Sequence, residues 1–188
     1  MTTTAPKGHL PTLVACFAHF DLCFMLWVLI GALSAFIFDG SGVNPSLKGL
    51  LIGTPILMGS LLRVPLGILS DRIGGKRMGL ALLLFLIVPL SVAWLAASSL
   101  GALVGVSLML GTAGSSFAIV LPLASRWYPK ERQGLVMGIA AAGNSGTVIA
   151  NICAPRLATA YGWHNVFGLA LIPLAMVVVL FAWMAREA

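Results

Sequence analysis

The stretch GLVMGIAAAGNSGTVIAN, residues 134–151, decides what kind of molecule this is. It reads as a helix, yet holds too much glycine and too much polarity for an ordinary apolar one. At 100° per residue it resolves into two stripes. Gly138, Ala142, Gly146 and Ala150 recur every four residues and offer a surface without bulk, on which another helix backbone can lie close. Asn144, Thr147 and Asn151 fall together elsewhere on the cylinder, at i, i+3 and i+7. Surrounded by apolar material, such a hydrogen-bonding face must meet a partner, a watery cavity or a substrate.

The surroundings are apolar. The chain is 60% hydrophobic and 9% charged, with a mean hydropathy of +1.04, far outside the range of soluble globular domains. The composition is that of an integral membrane protein. A pI near 9.8 does not signal nucleic acid, because the bases form no single stripe with interleaved aromatics. They stand in small clusters between apolar runs, the pattern that sets membrane topology. Cys16, Cys23 and Cys153 lie inside apolar segments without CxxC spacing and read as small buried thiols.

Six apolar spans follow from the hydropathy, at about 11–38, 47–70, 78–97, 102–125, 134–158 and 166–185. A polar tail, residues 1–10, reads as disordered and precedes them, and residues 186–188 follow. The turns are FDGSGVNPS, DRIGGKR, SSLG, RWYPKERQ and ATAYGWHN. With the amino terminus inside, the inner segments hold Lys7, Arg72, Lys76, Arg77, Arg126, Lys130, Arg132 and Arg186, whereas the outer loops hold Lys48 and Arg156. That bias predicts a multi-pass protein of the cell's inner membrane with both termini in the cytoplasm. The first apolar segment is too long for a signal-peptide core. The spans divide into triplets of opposite orientation, about 11–97 and 101–185, so the expected fold is all-α, two inverted three-helix repeats, with substrate bound near the midplane.

Arg63 lies inside span two, and a guanidinium in the bilayer costs about 2.5 kcal/mol or more. Gly59, Ser60, Gly67 and Ser70 leave space on its face. By rise alone, Arg63 lies about 12 Å from the inner end of its span and Asn144 about 15 Å from Gly134, so both can share one layer. A planar, always-charged fork suits a flat oxyanion. The competing reading is an ion pair between Arg63 and Asp21, which sits at similar depth in span one. An unpaired Asp21, or His19, could instead carry a coupled proton. His19 and Asp21 are two residues apart and occupy different helix faces.

The turn GILSDRIGGKR places Asp71, Arg72, Lys76 and Arg77 at the inner surface, with RWYPKERQ on the same side. These are either solvated topology determinants or a gate in which Asp71 pairs with Arg126 and locks spans two and four. Trp94, Trp127, Tyr128, Tyr161 and Trp163 lie near span ends, as interfacial aromatics do. Prolines 55, 65, 89, 122, 155 and 173 shape helices. No HExxH, GxSxG, Walker loop or zinc spacing is present, and five scattered acidic residues make no catalytic dyad, so no enzyme and no cofactor is expected.

GILSDRIGGKR resembles the signature between the second and third helices of the major facilitator superfamily, with Gly67, Asp71, Arg72, Gly74, Lys76 and Arg77 in matching places. More narrowly, GIAAAGNSG, with Gly138, Gly143, Asn144 and Gly146, resembles the glycine-rich signature of the nitrate/nitrite porters. Arg63 in GSLLRVPLG matches their substrate-binding arginine. SFAIVLPLASRWYPKERQG and APRLATAYGWHNVFG are similar to the same family. The resemblance implies alternating-access transport of nitrate or nitrite, by proton symport or by exchange, with Arg63, Gly143, Asn144 and Gly146 at the anion. Those transporters have about twelve helices in two halves, and this chain resembles the amino-terminal half. The second arginine and second glycine signature are absent, which implies a second six-helix half, as a separate chain or as a homodimer. The alternatives are a half-transporter for another solute, or a non-transporting structural or truncated membrane subunit.

Overall fold

Proline and glycine set where the helices begin and end in the computed structural model, which describes residues 8–38, 44–97 and 99–187. Helix α1, Leu10–Trp27, starts where His9 accepts from the Thr12 amide at 3.1 Å. Two single turns, α2 (Leu29–Ala32) and α3 (Ser34–Ile37), continue span one. Helix α4, Pro45–Ile73, has proline at its first position and Asn44 accepting from the Ser46 amide at 2.9 Å, the expected start of a helix. It stops at Gly74, whose φ of +100° an L side chain rarely adopts. Helix α5, Gly75–Leu95, follows directly.

Spans four and five share a construction that the hydropathy does not reveal. Helix α6 (Leu100–Gly111) and helix α7 (Ser116–Ser125) are joined through a 3-10 turn, Thr112–Ser115. Helix α8 (Lys130–Ala141) and helix α9 (Gly146–Tyr161) are joined through another, Ala142–Ser145. Helix α10, Trp163–Met184, closes the bundle. Among the described residues, six helical stretches are long and apolar enough to cross a membrane.

The packing repeats as an inverted pair of triplets would. Span one packs on span five as span two packs on span four, and span one packs on span six as span four packs on span three. Spans one and four lie centrally and are the most buried. The helices run past the expected span ends, because residues of both charged turns, 71–73 and 130–133, continue their helices.

Three expectations change. The small-residue stripe breaks at Gly138, which has open space around it, and at Ala142, which is exposed; the packed positions are Ala140, Gly143, Gly146 and Ala150. The 3-10 turn explains the shift, since it completes a turn in three residues rather than 3.6 and re-aims the inward face. Cys153 is exposed, while Cys16 and Cys23 are buried. Of the tail read as disordered, residues 1–7 lie outside the described residues, but Gly8 and His9 are fixed: the Gly8 amide donates to the Trp127 carbonyl at 2.9 Å, and the His9 ring packs at a tilt against Trp127 at 4.8 Å. Positions 39–43 of the first loop, Ser98 and Ala188 also lie outside the described residues, whereas Arg186 and Glu187 are held.

The chain's end ties the basic side together. The Arg186 amide donates to Thr12 Oγ1 at 3.0 Å, and its carbonyl accepts from Trp127 Nε1 at 3.0 Å. Glu187 Oε1 accepts from the Lys76 amide at 2.6 Å and lies over Gly74, where a Cβ would sit 2.6 Å from the same oxygen. A carboxylate thus caps the start of α5. Glu187→Ala is expected to destabilise the purified chain by about 0.5–1 kcal/mol as a lost cap, seen as a lower unfolding temperature, while Glu187→Gln keeps an acceptor and loses less. Identical melting of wild type and Glu187→Ala would show that the cap carries no stability.

Candidate functional site

Three glycines bring span two and span four together around Arg63. A Cβ at Gly59, one turn before Arg63, would lie 2.8 Å from the Gly111 carbonyl and from Trp27 Nε1; one at Gly111 would lie 2.6 Å from Met58; one at Gly114 would lie 2.6 Å from the Trp27 ring. Without these side chains, α4 lies against the 3-10 turn Thr112–Ser115, and the Trp27 indole fits between them. Trp27 Nε1 donates to the Pro55 carbonyl at 2.7 Å.

Arg63 Nε then donates to the Gly114 carbonyl at 3.3 Å. Its guanidinium carbon lies 5.7 Å from the Trp27 ring centroid and 5.6 Å from that of Phe117, within the range of cation–π attraction. This arrangement offsets part of the desolvation of a charge held in the bilayer. Because Nε is occupied, the fork is oriented. Among the described residues, Arg63 makes no other hydrogen bond, so both Nη groups are free to donate to one planar anion.

Asp21 does not supply a counter-charge. Among the described residues the ion pair within 4 Å joins Arg126 Nη2 to Asp71 Oδ1, at 2.7 Å and half exposed, at the basic side. Arg72, next to it, is exposed. Asp21 faces span five instead, where its Oδ1 accepts from Ser145 Oγ at 2.6 Å. His19 points into the core, between Ser116 and the Gly79 carbonyl.

The glycine-rich turn of span five lies on the backbone of α1. A Cβ at Gly143 would sit 2.8 Å from the Phe17 carbonyl and 2.9 Å from the Asp21 amide, and one at Gly146 would overlap the Asp21 carbonyl oxygen. Asn144 is exposed beside this contact and its carbonyl accepts from Thr147 Oγ1 at 2.8 Å; Asn151 Nδ2 donates to the Thr147 carbonyl at 2.7 Å. Asn144, Thr147 and Asn151 therefore form one stripe. No hydrogen bond joins Asn144 to Arg63 among the described residues. A run of aromatic rings connects their surroundings: Trp27 meets Phe24 at 4.9 Å, Phe24 meets Phe20 at 4.1 Å, and Phe20 meets Phe117 at 6.0 Å. Phe20 in turn lies 3.0 Å from a Cβ placed on Gly143.

Sequence reasoning missed Trp27, Phe117, Gly111 and Gly114. A signal for the glycines exists: GTAGSS at 111–116 matches AAGNSG at 141–146 in small-residue pattern, and the two 3-10 turns fall in identical places within them.

Comparison with known proteins decides the lineage. The profile of the Major Facilitator Superfamily matches residues 15–188. The chain belongs to the Major Facilitator Superfamily. Among its relatives within that superfamily, the nitrite extrusion protein of Bacillus subtilis is 38% identical over 154 residues, which cover 81% of this chain and 38% of the relative. The probable nitrate/nitrite transporter NarK2 of Mycobacterium tuberculosis is 34% identical over 167 residues, 88% of this chain and 42% of the relative. The probable nitrate transporter NarT of Staphylococcus epidermidis is 32% identical over 157 residues, 84% and 40% respectively. The chain thus spans about two fifths of the length of these superfamily relatives, and as a multi-pass membrane protein it is built as half of the superfamily fold.

Proposed function

We propose that this chain supplies the amino-terminal half of a nitrate/nitrite transporter that works by alternating access. The observation that carries the reading is the Arg63 fork, fixed at Nε by the Gly114 carbonyl and flanked by Trp27 and Phe117, with both Nη groups free. A flat oxyanion accepts from both Nη groups at once, and its face stacks on the rings. Asn144 donates from its amide, and Gly143 and Gly146 hold span five close enough for it to do so. The names of the relatives point to the same anions.

A second six-helix half, as a separate chain or a second copy, closes the site. Spans two and five are the least apolar of the outer helices yet remain widely exposed. Arg63, Asn144 and Asn151 would face hydrocarbon without a partner there. Asp71 and Arg126 pair in one state of the cycle and part in the other, with Arg72 beside them, and both chain termini lie in the cytoplasm.

Labelled nitrate entering vesicles tests this. Uptake is expected when the chain is co-expressed with the carboxy-terminal part of one of the relatives, and is competed by nitrite; uptake by the chain alone would assign the second half to a second copy. Uptake of an organic solute that nitrate does not compete would overturn the anion assignment.

A further inference from the structure

We infer that His19 is a positioning residue for Arg63, acting through Ser116 and the 3-10 turn of span four. The inference rests on the anion-binding reading of Arg63 for its functional weight, but the positioning itself concerns side chains of this chain alone.

His19 has no exposed surface. Its Nε2 lies 3.1 Å from the Gly79 carbonyl, and its Nδ1 lies 2.8 Å from Ser116 Oγ and 3.6 Å from Cys23 Sγ. A carbonyl oxygen only accepts, so Nε2 carries the proton and donates. In the neutral ring Nδ1 is then the acceptor, and the Ser116 hydroxyl donates to it. One tautomer satisfies the Gly79 carbonyl and the Ser116 hydroxyl together. The site is shaped for this ring: a Cβ at Gly79 would lie 2.7 Å from the Phe181 ring and 3.3 Å from His19 Nε2. Phe181 flanks the imidazole at 4.8 Å.

Ser116 is the first residue of α7, immediately after the 3-10 turn that presents the Gly114 carbonyl to Arg63. A 3-10 turn inside a longer helix has poorer hydrogen-bond geometry than the α-helix around it, so contacts outside the helix decide where it sits. On one side that contact is α4, through Gly59 and Gly111. On the other it is α1, through Trp27 against Gly114 and His19 on Ser116. The His19–Ser116 hydrogen bond, at 2.8 Å and fully buried, joins α1 to span four one residue after the turn.

The contrast with span five sharpens the assignment. The residue after its 3-10 turn is Gly146, which rests directly on the α1 backbone at Asp21. Span five is located on α1 by backbone contact, span four by side chains: the Trp27 and Phe20 rings and the His19 imidazole. Removing the Ser116 hydroxyl therefore loosens the turn that orients the arginine, at its polar support, and leaves the other turn in place.

The test uses the whole chain in lipid nanodiscs, with ¹⁵N-labelled arginine and histidine. The Arg63 Nε–H signal is identified by its loss in Arg63→Lys. Its exchange with water is expected to quicken at least tenfold in Ser116→Ala. Ser107→Ala provides the control, since Ser107 is a buried hydroxyl of the same span without a hydrogen-bond partner among the described residues, and is expected to leave exchange unchanged. Exchange in folded Ser116→Ala within twofold of wild type would overturn the inference. So would an Nδ1–H tautomer at His19 in the wild-type chain, a measurement that needs no variant to fold.

Nitrate binding by the assembled transporter separates this inference from the reading it rests on. Quickened exchange in Ser116→Ala together with unchanged nitrate affinity in Arg63→Lys would sink the anion assignment and leave the positioning standing. The reverse pair of results would do the opposite.

Discussion

Arg63→Lys is expected to weaken nitrate binding by the assembled transporter about tenfold to a hundredfold, while the chain folds and inserts as before. The substitution keeps the positive charge at the same depth, so long-range attraction for an anion survives. What it removes is direction. An ammonium is a point charge on a flexible stem and has no equivalent of Nε to dock on the Gly114 carbonyl, 3.3 Å from the arginine. Nor does it offer two parallel donors to one planar anion. A hydrogen bond to a charged group contributes about 1.5–3 kcal/mol, and every 1.4 kcal/mol is about a factor of ten, which sets the expected range. Folding is insulated because Arg63 holds the bundle through one carbonyl and two ring contacts rather than through an ion pair. Labelled-nitrate affinity beside thermal unfolding separates the two effects. Unchanged affinity in folded Arg63→Lys would remove the arginine from the anion site.

Arg63 is conspicuous in the sequence because hydropathy is a local property: one guanidinium inside an apolar run is visible without knowing any contact. Its surroundings are not visible in the same way. Trp27 lies 36 positions before it in the chain (63 − 27) and reads as one more apolar residue of span one; only folding brings the indole beneath the guanidinium. Phe117 lies on a different helix again. Depth counting puts Asp21 and Arg63 at similar levels and leaves an ion pair open, but depth fixes one coordinate. Rotation about the helix axis fixes the other, and it turns Asp21 to Ser145 and His19 to Ser116. The 3-10 turns escape a reading at 3.6 residues per turn because that period is assumed throughout. They change which residues of spans four and five face inward, so the four-residue stripe holds at Gly146 and Ala150 and gives way to Gly143 and Ala140 before the turn ends.

That register difference can be measured at two glycines. Gly146→Ala is expected to abolish folding or leave a chain destabilised by at least about 3 kcal/mol, while Gly138→Ala melts at or above the wild-type temperature. Both glycines belong to the four-residue repeat, and a uniform α-helix would give them similar roles. In the folded chain they differ completely. A Cβ at Gly146 would overlap the Asp21 carbonyl oxygen and come within 2.7 Å of its carbon and 3.1 Å of the Met25 amide, whereas nothing lies within 4 Å of a Cβ at Gly138. Overpacking typically costs about 1–3 kcal/mol when side chains can give way; here the obstacle is the backbone of a helix buried at the centre of the bundle, so the cost lies at or above the top of that range. At Gly138 alanine meets open space and gains up to about 1 kcal/mol of helix propensity. Thermal unfolding of both variants in one detergent reads the contrast directly. Equal tolerance of alanine at 138 and 146 would mean that α1 and span five do not meet backbone to backbone at the 3-10 turn. The Ser145–Asp21 hydrogen bond and the outward aim of Asn144 would then lose the contact that places them.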